Sequence, residues 1–178
     1  MSNSNNKPKV LYIGHYRQSS GWGQAARDYI LAMDSVGVDV VCRAIVLNGA
    51  VSDIPPRIIE LENKSAEGCD VCIQHVLPHF MVAGPFKKNI GMYATETNDF
   101  LYSGWSNYIN LMDEAIVFCN DSEIASINSG VDYDNMKIHV VPQTINTEEY
   151  SKQRKKIEGL ETTDFLFYFI GEFNQRKN

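Results

Sequence analysis

From Gly91 to Tyr150 the chain runs strand, acidic turn, Trp-bearing helix, strand, capped helix, strand and a Pro-led exit loop. Few folds accommodate that alternation. Parallel strands need crossover connections, and those connections cover the faces of the sheet they cross. The same rhythm reaches back to the N-terminus. KVLYIG (9–14), VDVVCRAIV (38–46), DVCIQHV (70–76), NIGMYAT (89–95), EAIVFC (114–119) and KIHVVP (137–142) are short apolar runs of the kind buried on both sides. Between them, Ala26, Tyr29, Ile30 and Met33 recur at helical spacing, with Gly37 as the stop. Trp105, Tyr108, Ile109 and Met112 mark another helix face. Asn120 with Glu123 resembles a capping box, and Gly130 ends that helix. Pro55-Pro56 interrupts the chain, and RIIEL (57–61) reads as a short third strand. The prediction is an α/β fold: a Rossmann-like parallel sheet with helices on both faces, three layers in all, whose ligands lie at the carboxyl ends of the strands.

The 178 residues suffice for one ordinary domain. Residues 1–8 read as a disordered lead-in, 9–150 as the domain and 151–164 as a polar linker. Residues 165–178 open with FLFYFIG, a very apolar strand that normally begins another βα unit, so the natural protein is expected to continue past Asn178. Lys plus Arg number 16 against 22 Asp plus Glu, a formal charge of −6 that argues against a general nucleic-acid binder. No apolar run approaches the ~20 residues of a membrane helix. The polar start MSNSNNKPK has no signal-peptide core, which makes the cytoplasm the expected location.

The loop GHYRQSSGWGQAARDY places Gly14 at a strand end and Gly21 and Gly23 before a helix, where unpaired N–H groups can meet an anion. It is too long for the dinucleotide fingerprint, and Ala26 stands where a third glycine would be. Either a phosphate-facing loop or a plain connection fits. Arg17 can add charge there, or simply be solvated. His75, at a strand end, is either a contact to a sugar hydroxyl and a proton carrier or a hydrogen-bonded structural residue. Pro78 separates it from His79, which excludes a metalloprotease helix, and His139 lies inside a strand as a structural residue. Glu96 and Asp99 flank a strand end, where an acid can steady positive charge, accept a proton or cap the next helix. Gln143 joins the candidates at the carboxyl edge. Cys42, Cys69, Cys72 and Cys119 read as small buried thiols; a single CxxC at 69–72 does not make a metal site. Lys152, Arg154, Lys155 and Lys156 form a basic run, read as a solvated linker or helix face with membrane contact as the alternative.

ATETNDFLYSGW, NLMDEAIVFCND, SGVDYDNMKIHVVPQTIN and FYFIGEFNQRKN, in that order and spacing, resemble the retaining GT-B glycosyltransferases of the large family that includes many bacterial mannosyl- and glucosyltransferases. The matching positions are Glu96-Thr97, Trp105, Asp113, Ser129-Gly130-Val131, Lys137-Ile138, Val140-Val141-Pro142, then Gly171, Phe173 and Arg176-Lys177. The resemblance implies the N-terminal, acceptor-side lobe of a two-lobed enzyme that moves a sugar from a nucleoside diphosphate sugar to a carbohydrate, lipid or protein hydroxyl with retention. It implies Glu96, Thr97 and His75 near the reacting sugar, and Gly21, Gly23, Arg176 and Lys177 at the donor phosphates, with no metal or other cofactor. Such basic groups would neutralise the departing diphosphate. The sequence has ATET where many relatives carry an active-site His, and Phe118-Cys119-Asn120 where a Pro-Ser pair is common. The second lobe and its glutamate pair do not lie within this chain, so these residues alone are not expected to catalyse transfer. The rival readings are a nucleotide-sugar epimerase of the same fold and a non-catalytic glycan- or partner-binding module.

Overall fold

The structure, a computed structural model, describes residues 8–46 and 51–152. Six strands form one all-parallel sheet: β1 (Lys9–Gly14), β2 (Asp39–Ala44), β3 (Val71–His75), β4 (Lys88–Met92), β5 (Glu114–Val117) and β6 (Lys137–Val140), in the order β2-β1-β3-β4-β5-β6. The α/β architecture is the one the alternation of apolar runs predicts. Every strand but β1 is shorter at its carboxyl end than its apolar run, because the last residues turn into the loops at that edge.

Helix α1 (Gly21–Ser35) joins β1 to β2, α2 (Pro56–Glu62) follows β2, α3 (Trp105–Ile109) precedes β5, and α4 (Asn120–Asn128) joins β5 to β6. Alternate strand residues point to opposite faces, and the buried side chains sort accordingly. Val10, Tyr12, Val40, Cys42, Ile73 and Met92 pack with Ala26, Tyr29 and Ile30 of α1 and Ile58 and Leu61 of α2. Ala115, Val117 and Ile138 pack in a second cluster with Ile109, Met112 and Ala125 from the α3 and α4 region. Gly91 of β4 serves this second cluster: a Cβ there would stand 2.8 Å from Met81 Sδ and 3.1 Å from Met112 Cγ, so a side chain would push both thioethers aside. The two expected helix stops hold. Gly37 and Gly130 have φ of 77° and 86°, left-handed backbone that a side chain would strain.

Three expectations are corrected. RIIEL is helix α2, not a strand. Pro56 occupies the first turn, where its missing N–H costs nothing, and the buried residues are Ile58 and Leu61, three apart, while Ile59 is exposed. Helix α4 is capped by Cys119 with extended backbone, and Asn120 is its first helical residue, so there is no capping box with Glu123. Of the predicted helix face 105–112, Ile109 and Met112 are buried but Tyr108 is exposed.

The chain separates into two compact units, Met1–Ile145 and Asn146–Asn178. In the second, the described residues form α5 (Thr147–Ser151), whose N-cap Asn146 side chain accepts from the Glu149 N–H at 3.1 Å. Lys152 there pairs with Glu149 across one turn. Residues 153–178, including Arg154, Lys155, Lys156, the apolar run 165–171, Arg176 and Lys177, lie outside the described residues.

Candidate functional site

In an open parallel sheet, ligands bind beyond the carboxyl ends of the strands, where neighbouring connections leave in opposite directions. That reversal falls between β1 and β3: the chain leaves β1 for β2 on one side, while β3 lies on the other. Register brings Gly14 opposite His75, and His75 opposite Met92, so the ends of β1, β3 and β4 are level.

The β1–α1 loop is built tightly. His15 O accepts from the Gln18 N–H at 2.8 Å, and Ser20 caps α1 by accepting from the Gly23 N–H at 3.2 Å. A Cβ on Gly23 would stand 2.0 Å from Gln18 O, whereas one on Gly21 meets nothing within 4 Å. Gly23 is therefore explained by close packing of the loop on the helix, and its N–H is already engaged. Gly21 is exposed at the helix start. Arg27 fastens the loop from beneath: its guanidinium donates to Tyr16 O (2.8 Å), Gln18 O (3.2 Å), Ser52 Oγ (2.9 Å) and Gln24 Oε1 (3.0 Å). Arg17 is not a solvated side chain. It forms a two-pronged ion pair with Glu62 of α2, and the Tyr16 hydroxyl donates to the same carboxylate at 2.7 Å. Hydrogen bonding from Arg17 holds the Glu62 carboxyl below its ordinary range.

His75 sits at the centre of an aromatic cluster. Its ring lies 5.2 Å from that of Trp22, 5.5 Å from Phe118, 5.9 Å from Tyr29 and 6.0 Å from Tyr12, centroid to centroid. Tyr29 and Phe118 stack at 5.8 Å, and the Tyr29 hydroxyl donates to Val141 O at 3.1 Å, tying α1 to the end of β6. The Tyr12 hydroxyl lies 2.5 Å from His75 Nδ1. Burial, with the nearby His15 adding to it, pushes the His75 pKa down to about 4, so the ring is neutral at physiological pH. His15 places Nδ1 3.0 Å from Ile45 O, and its ring is 6.5 Å from Trp22. His75 and His15 are both buried, and the Nε2 atom of each is a buried atom without a hydrogen-bond partner. Buried polar atoms left unpaired are rare enough to need a reason.

Glu96 and Thr97 occupy the bend that leaves β4 and are exposed, as is Asp99. They share the carboxyl edge with His75 but lie at the surface while His75 is fully covered. Gln143 is exposed beyond β6. Thr95 Oγ1 donates to Ser122 Oγ at 3.4 Å, and Ser122 also lies 3.4 Å from Cys119 Sγ. Hydrogen bonding with Ser122 lowers the Cys119 thiol pKa. Cys119 is exposed, which corrects its reading as a buried thiol; Cys42 and Cys72 are buried as expected, and Cys69 is half-buried. His139 is structural: its Nε2 lies 2.9 Å from Glu114 Oε2, a carboxylate that also pairs with Lys88. His79 packs against Phe80 in a short 3-10 turn at Pro78–Phe80. Among the described residues no cluster of three or more His, Cys, Asp or Glu is placed to hold a metal ion, and no helix is long and apolar enough to cross a membrane.

Sequence reasoning reached His75 from its place at a strand end but missed His15, Trp22, Ser20 and Arg27. Comparisons with protein-family models, with curated proteins and with solved structures found no match.

Proposed function

We propose that this chain is the acceptor-side lobe of a retaining glycosyltransferase, holding the hydroxyl compound to which a sugar is transferred from a nucleoside diphosphate sugar. The observation that carries the reading is the pair of buried, unpartnered imidazole nitrogens on His15 and His75 at the strand-order reversal between β1 and β3. The neutral His75 imidazole beside a half-buried indole suits an uncharged, hydroxyl-bearing ligand better than an anion. The ordered series of GT-B-like motifs from Glu96 to Pro142 supports the same reading. On that reading Glu96 and Thr97, exposed on the neighbouring strand end, meet the reacting sugar from the open side. Gly21, at the free start of α1, is the glycine best suited to approach a donor phosphate. Arg176 and Lys177 belong to the proposal through the motif alone.

Supplying the natural protein with UDP-, GDP- and ADP-sugars and a mixture of glycoside acceptors tests this. The expected result is a glycoside product that keeps the anomeric configuration of the donor. Isomerised donor without any acceptor would replace transfer with epimerisation. Turnover of no donor, with sugar binding retained, would replace it with a glycan-binding module.

A further inference from the structure

The rings gathered around His75 are mostly sealed: Tyr12, His15, Tyr29 and His75 itself are buried. Trp22 and Phe118 are half-buried, and there the cluster reaches solvent. One face of Phe118 is taken by Tyr29, stacked on it at 5.8 Å. The Trp22 indole lies 5.2 Å from the ring of His75, at the end of β3, and 6.5 Å from that of His15, just past β1. It therefore stands over the crevice where strand order reverses. We infer that Trp22 is a stacking platform whose uncovered indole surface receives the C–H face of a sugar ring. That this sugar is the acceptor rests on the transferase reading; the platform rests on the geometry alone.

Three features fit a platform. The indole is held in place before any ligand arrives: Ser20 caps the helix that carries it, Gly23 closes against Gln18 O, and Arg27 binds the loop from beneath. An aromatic ring fixed in advance loses little freedom on binding. The approach is open, since even a Cβ on the adjacent Gly21 would meet nothing within 4 Å. The surroundings are uncharged. Within 14–24, 75–78, 92–95 and 117–120 the only Asp, Glu, Lys or Arg is Arg17, whose guanidinium is paired with Glu62. An anion laid on the indole would meet no unpaired cation among those residues.

A pyranose suits that surface. Its hydroxyls project from the rim and its C–H bonds from the faces. Stacking removes apolar area of both partners from water and leaves the hydroxyls hydrated. An open-chain polyol carries the same hydroxyls but has no such face.

Trp22 and Trp105 are the only tryptophans, so the ¹⁵N-labelled protein gives two indole N–H signals, assigned with Trp105→Phe. The chain is titrated with the methyl glycosides of glucose, mannose, galactose and N-acetylglucosamine, with glucitol and with uridine. The expected result is movement of the Trp22 signal with at least one glycoside while that of Trp105 stays still. Transferred NOEs from the Trp22 ring to the C–H hydrogens of that sugar are expected with it. Trp22→Leu is expected to weaken that glycoside about fivefold or more, and Trp22→Tyr to restore part of the loss. A Trp22 signal that no glycoside moves, that glucitol moves as much, or that only uridine moves overturns the platform. Equal affinity of Trp22→Leu does so too. Shifts and NOEs are read on the unaltered protein, so a variant that fails to fold leaves the test intact. Sugar transfer with a still Trp22 signal would leave the transferase reading standing without the platform. Movement without transfer would leave the platform in a protein that binds sugar but does not transfer it.

Discussion

His75 illustrates how one buried side chain links stability to pH. In the unfolded chain an imidazole takes a proton near pH 6.5, whereas in the fold burial holds the pKa down to about 4. Between those values the unfolded chain binds the extra proton, so stability is full above about pH 6.5 and falls as pH drops toward 4. The loss amounts to roughly 3 kcal/mol, at about 1.4 kcal/mol per pH unit. Urea denaturation of the wild type and of His75→Gln across that window checks this: the wild type is expected to lose stability more steeply toward acid, and parallel curves would contradict it. The two glycines of the β1–α1 loop make an equally sharp contrast. Gly23→Ala drives a Cβ into Gln18 O and is expected to cost about 2–3 kcal/mol, while Gly21→Ala, in open space within a helix, should be neutral or stabilising by up to about 1 kcal/mol. Thermal melting separates the two. Equal effects would mean that the loop is not packed as described.

At the scale of elements, Arg27 decides whether the loop after β1 is rigid. Its four acceptors span the loop, the isolated bridge region at Ser52 and its own helix. Arg27→Met keeps much of the side-chain volume but removes the guanidinium donor from the Tyr16 and Gln18 carbonyls, at an expected cost of about 2–4 kcal/mol. Hydrogen exchange should quicken at residues 15–20 and leave β5 and β6 unchanged; uniform change across the sheet would show that Arg27 only contributes to global stability. The elements themselves were mostly legible, because a strand buried on both faces must be a short apolar run, and the glycines at 37 and 130 mark stops that a left-handed residue demands. RIIEL was not, since five residues fit either period and only the burial of Ile58 and Leu61 against α1 decides for a helix. The cap of α4 shifted by one residue because the extended backbone is at Cys119, which no side-chain pattern marks. His15 was hidden for another reason: its bond partner, Ile45 O, is 30 residues away, and a histidine within a polar loop has no periodicity to betray burial. Arg27 was hidden likewise, for charge on a helix normally signals solvent.

For the molecule as a whole, the parallel sheet and its order put the candidate residues at one carboxyl edge. If donor binding belongs mainly to an opposing lobe, as the GT-B resemblance implies, UDP- or GDP-sugars should bind these 178 residues at millimolar affinity or weaker by calorimetry. Micromolar binding would contradict that division of labour. The more direct measurement is a backbone amide map of the ¹⁵N-labelled chain titrated with the methyl glycosides. Shifts gathered at residues 14–23, 75–77, 93–97 and 118–122, the carboxyl edge of the sheet, are the expected result. Shifts gathered at the opposite edge, around Lys9, Asp39, Val71 and Lys88, or no shifts with any glycoside, would contradict the placement of a sugar site between β1 and β3.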